Sequence, residues 1–227
     1  MTSTAATYAY APPPYPAHLV AFRHLSDGTN VIIRPIHPDD DAIEMEFIRG
    51  LSRDSAYNRL LSGRKLTPDE ILHLTRIDYE REMAYIAIIV DRGQARLLGV
   101  ARYVRDADGA EFAIVVADAW QRRGVGSLLL RTLLQHAHSA GITRVHGITL
   151  ATNQAMQDLA RSLGFVQRPD PHDATVREVA ITLANRDPAV PASAADLAGA
   201  AANDEGTARF NPRPPLAPVN ASKEHAI

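Results

Sequence analysis

The feature that most constrains the fold is a change of hydrophobic period at Gly124. Three apolar, β-branched runs precede it, at residues 82–90, 96–104 and 111–116, and short polar turns separate them. From Gly124 to Ala140 the apolar residues recur at helical spacing. Strands joined by short turns predict an antiparallel meander, and the helical spacing predicts one long helix directly after it.

Weaker signals place the other elements. Predicted helices lie at residues 39–49, at 52–61, from Thr67 onward, at 124–140 and at 153–163. Predicted strands lie at residues 30–36, 82–90, 96–104, 111–116, 143–150, 165–167 and 175–183. The helix from Thr67 has the strongest start, because Thr67-Pro68-Asp69-Glu70 combines a cap, a proline and acidic residues. The order predicts a mixed α+β fold with helices on both faces of a sheet.

Composition divides the chain into a folded part and two tails. Residues 1–18 alternate alanine, tyrosine and proline, and residues 186–227 are rich in alanine and proline and have no hydrophobic period. Neither segment carries enough apolar surface to offset the entropy cost of ordering it. We therefore predict a folded domain over residues 19–185, between a disordered N-terminal tail and a disordered C-terminal tail.

Composition also excludes several functional classes. The 227 residues include no cysteine, which rules out disulfides, thiolate metal sites and a cysteine nucleophile. The formal net charge of −2 shows no basic footprint for nucleic acid. No apolar run is long enough to span a membrane, and residues 1–17 do not resemble a secretory signal. We expect no nucleic-acid or membrane partner and a cytoplasmic location.

A glycine-containing segment joins the third strand of the meander to the long helix. It consists of Gln121, Arg122, Arg123, Gly124, Val125 and Gly126, and Ser127 follows it. Glycine lets a ligand approach the backbone, the free N–H groups of a helix start attract phosphate, and the two arginines add positive charge. Leu129 stands where a dinucleotide-binding loop needs its third glycine, and the Lys of a Walker loop is missing. A helix start without a ligand also fits the segment.

Two motifs give this segment its context. Ala110–Val116 followed by Trp120–Gly126 resembles motif A of the GCN5-related N-acetyltransferase (GNAT) family, and Asn153–Met156 with Leu159 and Gly164-Phe165 resembles motif B. The resemblance covers residues 29–183. It implies the GNAT fold, whose central sheet is twisted, mostly antiparallel and about seven strands wide, with helices on both faces. It also implies acetyl-CoA as the cosubstrate and no metal.

A closer resemblance concerns one branch of the family. Arg34-Pro35-Ile36, Asp39-Asp40, the run Asp78–Ala84 and Ala110-Glu111 look like the acetyltransferase domain of bacterial Pat-type protein lysine acetyltransferases. This implies that a protein lysine accepts the acetyl group, for example on an acyl-CoA synthetase. Pat-type domains often belong to larger chains with a nucleotide-binding or synthetase-like domain. Because this sequence shows no such domain, we expect a stand-alone form.

The resemblance implies a role for Glu111. A lysine amine has a pKa of about 10.4, so at neutral pH it must lose a proton before it can attack a thioester. Histone-type and Pat-type members place their general base in the matching Ala-Glu context, and Glu111 is therefore the candidate base. Glu80 and Glu82 are the alternatives. The other interpretation of Glu111 is a solvated strand residue.

The resemblance also implies the acetyl-CoA contacts. The backbone of Val115 and Val116 would pair with the pantetheine arm and polarise the thioester carbonyl. The other candidates are Gln121, Arg122, Arg123, Gly124, Val125, Gly126, Ser127, Asn153 and Met156. Asn153 is equally suited to cap a helix. Many members carry a tyrosine as general acid where this chain has Ala160. Either the CoA thiolate leaves unprotonated, or a water or another residue protonates it, so we assign no general acid.

Three points stay open at this stage. The acidic residues Asp78, Glu80 and Glu82 could attract a substrate ammonium, or they could form a solvated turn. The acceptor could be a small-molecule amine, such as an aminoglycoside, a polyamine or an amino acid. The chain could also be a non-catalytic acyl-CoA-binding module, which the missing tyrosine mildly favours and Glu111 argues against. His136 and His138 are two apart on a helix and face different ways, so no metal site is predicted.

Overall fold

A computed structural model describes residues 13–61 and 66–183 of the chain. The chain divides into two units, Met1–Pro188 and Ala189–Ile227, and the second lies wholly outside the described residues. The tail predicted at residues 186–227 and the first twelve residues of the N-terminal tail also lie outside them.

The described residues contain eight strands and five α-helices. The strands are β1 (Ala21–His24), β2 (Asn30–Pro35), β3 (Glu82–Asp91), β4 (Gln94–Asp106), β5 (Gly109–Val116), β6 (Arg144–Leu150), β7 (Val166–Pro169) and β8 (Val176–Thr182). The helices are α1 (Asp41–Gly50), α2 (Arg53–Leu60), α3 (Pro68–Thr75), α4 (Val125–Ser139) and α5 (Gln154–Ser162). All five predicted helices and all seven predicted strands are present.

The eight strands form one sheet in the order β1-β2-β3-β4-β5-β6-β8-β7. Within the described ranges, every neighbouring pair is antiparallel except β5 and β6. This parallel pair has two paired positions, Ala110 with Val145 and Glu111 with His146. Beyond Glu111, β5 leaves β6 but stays paired with β4 as far as Val116. The sheet therefore opens at the carboxyl ends of β5 and β6.

Helices cover both faces of the sheet, as predicted. One core lies between the sheet and α4, where Leu129, Leu130 and Leu133 are fully buried. The other lies under α1 and centres on Ile86 and Phe47. Side chains alternate between the two faces along a strand, so residues three positions apart point to opposite faces. Phe112 of β5 therefore belongs to the first core, and Val115 packs against the second.

Local signals at the helix starts agree with the structure. The side chain of Thr67 accepts a hydrogen bond from the Glu70 N–H, and the Glu70 carboxylate accepts one from the Thr67 N–H. These two hydrogen bonds form a capping box at the helix start that the sequence predicts for α3. Gly124 caps α4 with a φ of 92°, in the left-handed region that glycine tolerates.

Two features differ from the sequence prediction. Strand β1 is an eighth strand, which the sequence analysis missed because three of its four residues are exposed and give no core pattern. Residues 13–18 were assigned to the N-terminal tail, but Tyr15 donates a hydrogen bond to the Pro35 carbonyl (3.0 Å) and its ring packs on His37. The ordered chain therefore begins earlier than residue 19. Across both described ranges, no helix combines the length and apolar character needed to cross a membrane.

Candidate active site

The opening between β5 and β6 is a cleft of about 630 Å³. Its walls come from β5 and β6, from α2, from the first turn of α4 and from the length of α5. Gly147 of β6 stands next to the point where the strands diverge, and a Cβ added there would lie only 2.8 Å from the Phe112 carbonyl oxygen. Glycine thus lets the strands meet closely before they separate. The volume is in the range of small-molecule sites, about 300–1,000 Å³.

The start of α4 supplies an anion-binding end to this cleft. Its first-turn N–H groups, at Val125, Gly126 and Ser127, precede the first helical hydrogen bonds, and no side chain caps them. Gly124, Gly126, Ser127 and Arg122 all line the cleft. Unpaired N–H groups, a helix dipole and one arginine suit a phosphate group. These residues therefore fit the pyrophosphate of acetyl-CoA.

Three other residues of the predicted pyrophosphate segment have side chains occupied elsewhere. The Gln121 amide donates hydrogen bonds to Ser55 Oγ (3.0 Å) and to the Val116 carbonyl (3.1 Å). The Arg123 guanidinium pairs with Asp27 and lies 4.0 Å from the centre of the Trp120 ring. The Val125 side chain is fully buried. These side chains hold the loop in shape, and Arg123 and Val125 do not line the cleft.

The pantetheine candidates lie along the two sides of the cleft. Val115 and Val116 line it, and past Glu111 the edge of β5 that faces β6 has no strand partner in the described chain. Asn153 and Met156 line it from α5. Asn153 Oδ1 also accepts a hydrogen bond from the Met156 N–H (3.1 Å), so the capping interpretation is confirmed and does not exclude contact with a ligand.

Glu111 stands at the end of the cleft where β5 and β6 still pair. It is exposed, lines the cleft, and occupies the last row in which β5 and β6 pair. Arg59 of α2 lines the same cleft and interacts electrostatically with Glu111. Burial lowers the pKa of Arg59 to about 10, helped by Arg102 and opposed by Glu44 and Glu111. Arg59 therefore stays positively charged at neutral pH, facing the Glu111 carboxylate.

The predicted substrate acids lie outside the cleft. Burial would raise the pKa of Asp78, but backbone N–H groups of Glu82, Glu80 and Arg81 bind its carboxylate and hold the pKa below its ordinary value. Asp78 thus shapes a turn, the second of its two interpretations. Glu82 faces Val104, which faces Glu111, so both glutamates share one face of the sheet about 10 Å apart. Glu80 is exposed beside this turn.

Ala160, at the position where many GNAT members carry a tyrosine, has no access to the cleft. Ala160 is fully buried in the core below α5, so its side chain does not reach the cleft. The hydroxyl-bearing residues that line the cleft are Ser55, Ser127, Thr149 and Ser162. Of these, Thr149 is 2% exposed, and its hydroxyl oxygen has no hydrogen-bond partner among the described residues.

His136 of α4 packs against tyrosine side chains. The Tyr103 hydroxyl lies 3.0 Å from Nδ1 of His136, whose ring also packs against Tyr85. Burial lowers the pKa of His136 below its ordinary value, with smaller contributions from Arg105 and His18. Over residues 13–61 and 66–183, no three His, Asp or Glu side chains cluster in a way that could hold a metal ion.

Sequence reasoning missed the contribution of α2 to the cleft. Ser55, Asn58 and Arg59 all line it, although they belong to no motif. Ile148 and Thr149 of β6 line it too, because they lie just beyond the point where β6 leaves β5. Only the strand order brings these residues to the glycine segment, so no local signal could have identified them.

Sequence comparisons identify relatives of the chain. Residues 53–165 match the family described as "Acetyltransferase (GNAT) family". Acetyltransferase PA5475 of Pseudomonas aeruginosa is 34% identical over 154 residues, which cover 66% of this chain and 83% of that protein. Acetyltransferase Pat of Mycolicibacterium smegmatis is 30% identical over 137 residues, and the match spans only 40% of its length.

Solved structures show the same architecture. The GNAT domain of S. lividans PAT superposes with a TM-score of 0.69 at 29% identity, covering 75% of this chain and all of that domain. The protein yncA from Salmonella typhimurium, solved with acetyl-CoA, shares the fold with a TM-score of 0.54 at 20% identity, covering 72% of this chain and 98% of that one. With its open β5–β6 cleft and uncapped α4, this chain belongs to the GNAT family and is an acetyl-CoA-dependent acetyltransferase.

Proposed function

We propose that this protein transfers the acetyl group of acetyl-CoA to a lysine side chain of a protein, with Glu111 as the general base. The observation that carries the proposal is the position of Glu111. Its exposed carboxylate lies at the end of a cleft whose other end is the uncapped start of α4. An extended arm with its phosphates at α4 would follow the free edge of β5 towards Glu111.

The amine needs a proton acceptor before it can attack. The substrate ammonium gives a proton to Glu111, directly or through a water, and the neutral amine then attacks the thioester carbonyl carbon. The C–N bond forms, the C–S bond breaks, CoA leaves as a thiolate, and the attacking nitrogen loses its second proton to water. Thiols have a pKa of about 8.5, so a thiolate can leave without a dedicated acid. Ala160 at the tyrosine position is compatible with this route.

Two observations support a protein acceptor. The surface around Glu111 is open, since Val104, opposite it on β4, is 41% exposed and Ile148 of β6 is 49% exposed. Apolar side chains exposed beside a catalytic carboxylate can pack against a protein substrate. The chain is also similar to two acetyltransferases named Pat, and its sequence resemblance to the Pat type implies a lysine acceptor. An acyl-CoA synthetase is the first acceptor to test.

The test is the release of free CoA from acetyl-CoA, with a purified acyl-CoA synthetase and a panel of free amines as separate acceptors. We expect turnover with the protein, and a mass increase of one acetyl group on a lysine. Reactions without an acceptor correct for hydrolysis. Turnover on free amines alone would replace the lysine proposal with a small-molecule acceptor. Binding of acetyl-CoA without turnover on any acceptor would favour a non-catalytic module.

A further inference from the structure

A second cavity lies behind β5, on the side covered by the first three helices. Its volume is about 360 Å³. It is bounded by α1, α2 and α3 and by the middle of β4, and it shares Arg59, Leu60 and Val115 with the wall of the acetyl-CoA cleft. The proposed acetyl transfer makes no use of this cavity.

A buried carboxyl group faces this cavity. Glu44 of α1 is 3% exposed and lines the cavity, and its Oε2 atom has no hydrogen-bond partner among the described residues. No ion pair to Glu44 is formed within those residues either. An unpartnered polar atom away from water costs on the order of 1–3 kcal/mol, so such groups are nearly always satisfied in folded proteins. The cavity is the space from which a partner can come.

Two guanidinium groups line the same cavity. Arg102 of β4 is 8% exposed and donates one hydrogen bond, from Nη2 to the Leu74 carbonyl (2.5 Å). Arg59 makes no hydrogen bond or ion pair with any described residue. Both arginines attract Glu44 electrostatically, yet neither comes within ion-pair distance of it. Three charged groups thus converge on one space without pairing with each other.

The remaining polar groups of the cavity wall do not supply the missing partner of Glu44. Glu70 lines the cavity, but its carboxylate caps α3 through Thr67. His73 also lines it, at the other end of α3. The rest of the wall is mostly aliphatic and includes Ile48, Leu51, Leu60, Leu66, Leu74 and Val100. An apolar wall with a few convergent polar groups is typical of a small-molecule site, and the volume is in the range of such sites.

We propose that this cavity is a second ligand site, for an α-amino acid with an apolar side chain. The carboxylate of such a ligand matches the fork of the Arg102 guanidinium. Its ammonium supplies the missing partner of Glu44, and its side chain replaces water along the aliphatic wall. The ligand is an effector and not an acetyl acceptor, because its amine is held by Glu44 and not by Glu111. Arg59 and Val115 connect it to the cleft.

Leucine is the probe for this site, and isothermal titration calorimetry of the full chain measures its binding. We expect saturable binding at millimolar concentration or below. Leucinamide lacks the carboxylate and 4-methylpentanoate lacks the ammonium. Each should bind at least about tenfold more weakly, because each leaves one buried charge without its partner. Absence of leucine binding, or equal binding of all three compounds, would overturn the proposal.

Variants of the cavity wall test whether leucine binds in this cavity. Ala56→Leu fills the cavity with apolar volume and should abolish leucine binding, and Glu44→Gln should weaken it about tenfold or more. Glu46→Gln, on the exposed side of α1, is the matched control and should bind like wild type. Unchanged acetyl-CoA affinity shows that each variant is folded. Leucine binding that survives Ala56→Leu, or leucine that becomes N-acetylated, would contradict an effector site here. Neither result depends on the identity of the protein acceptor.

Discussion

The cleft between β5 and β6, where we propose that acetyl-CoA binds, and the cavity behind β5 share a wall at Arg59 but differ in origin. The cleft exists because β5 and β6 pair at only two positions and then diverge, so backbone N–H groups and an exposed Glu111 face it. The cavity exists because three short helices cover the sheet incompletely, so buried side chains face it. Glu111 is therefore exposed at the cleft, where we propose that it takes a proton from the substrate, whereas Glu44 is buried, where a charge costs stability.

The largest effect should come from the charge of Glu44. Burial raises its pKa to about 7 from an ordinary value of 4.5, although Arg102 and Arg59 oppose the shift. The folded state therefore holds the proton more tightly, and the stability present below pH 4.5 is lost as pH rises through about 7. We expect a loss of up to about 3 kcal/mol from this group in wild type. Glu44→Gln should remove it.

Urea unfolding of wild type and Glu44→Gln across this pH range measures the effect. The difference between the two free energies of unfolding isolates Glu44, because His136 and the charged neighbours Asp40, Arg59, Glu70, His73 and Arg102 are present in both proteins. Curves that stay parallel from low to high pH would show that Glu44 has a partner that keeps it ionised.

Adding a side chain at Gly147, where β6 diverges from β5, should have the next largest effect on stability. In Gly147→Ala the added Cβ would lie 2.8 Å from the Phe112 carbonyl, a backbone atom that can move only if the strands separate. We expect a loss of about 1–3 kcal/mol in the free energy of unfolding. Gly50→Ala at the end of α1 is the control, because a Cβ there meets nothing within 4 Å. Equal stability of the two variants would mean that Gly147 is not needed for the close approach of β6 to β5.

A negative charge at the start of α4 should weaken acetyl-CoA binding. Ser127→Asp places a carboxylate where we propose that the pyrophosphate binds, and we expect the Kd of acetyl-CoA to rise about tenfold or more. The fold should not suffer, since an acid in the first turn favours the helix dipole. Ser127→Asn, of nearly the same size but neutral, is the matched control. Loss of affinity in both variants would indicate a steric effect.

The two arginines of the glycine segment should differ in how much they contribute to acetyl-CoA binding. Arg122 lines the cleft, whereas Arg123 pairs with Asp27 and stacks on Trp120. Arg122→Gln should weaken acetyl-CoA binding by a few-fold, in the range expected for one solvated phosphate contact, and more at low salt. Arg123→Gln should leave the affinity within about twofold. The reverse order would show that the loop rearranges when acetyl-CoA binds.

Local signals explain why most of the fold could be predicted. The period change at Gly124 and the helix start at Thr67 are properties of neighbouring residues, and both appear in the structure as predicted. Strand β1 and the packing of Tyr15 were missed because they depend on partners in β2, which no local pattern reveals.

The candidate site also has a part that local motifs predict and a part that depends on contacts between distant residues. The glycine segment and Glu111 belong to recognisable motifs, whereas the side chains of Gln121 and Arg123 are taken up by α2 and by the β1–β2 turn. The cluster of Glu44, Arg59 and Arg102 joins two consecutive helices to a strand that lies far from them in sequence. Its members carry no shared motif, and only their burial against one cavity makes them a group.

The central claim is that Glu111 takes the proton from the acceptor amine. The most direct test is the single-turnover rate at saturating acetyl-CoA for wild type, Glu111→Gln and Glu82→Gln, which lies on the same face of the sheet. We predict that Glu111→Gln slows acetyl transfer by about 10²-fold or more with unchanged acetyl-CoA affinity, and that Glu82→Gln stays close to wild type. The deficit of Glu111→Gln should shrink as pH approaches the amine pKa of about 10.4. A Glu111→Gln rate equal to wild type, or an equal loss in Glu82→Gln, would contradict the claim.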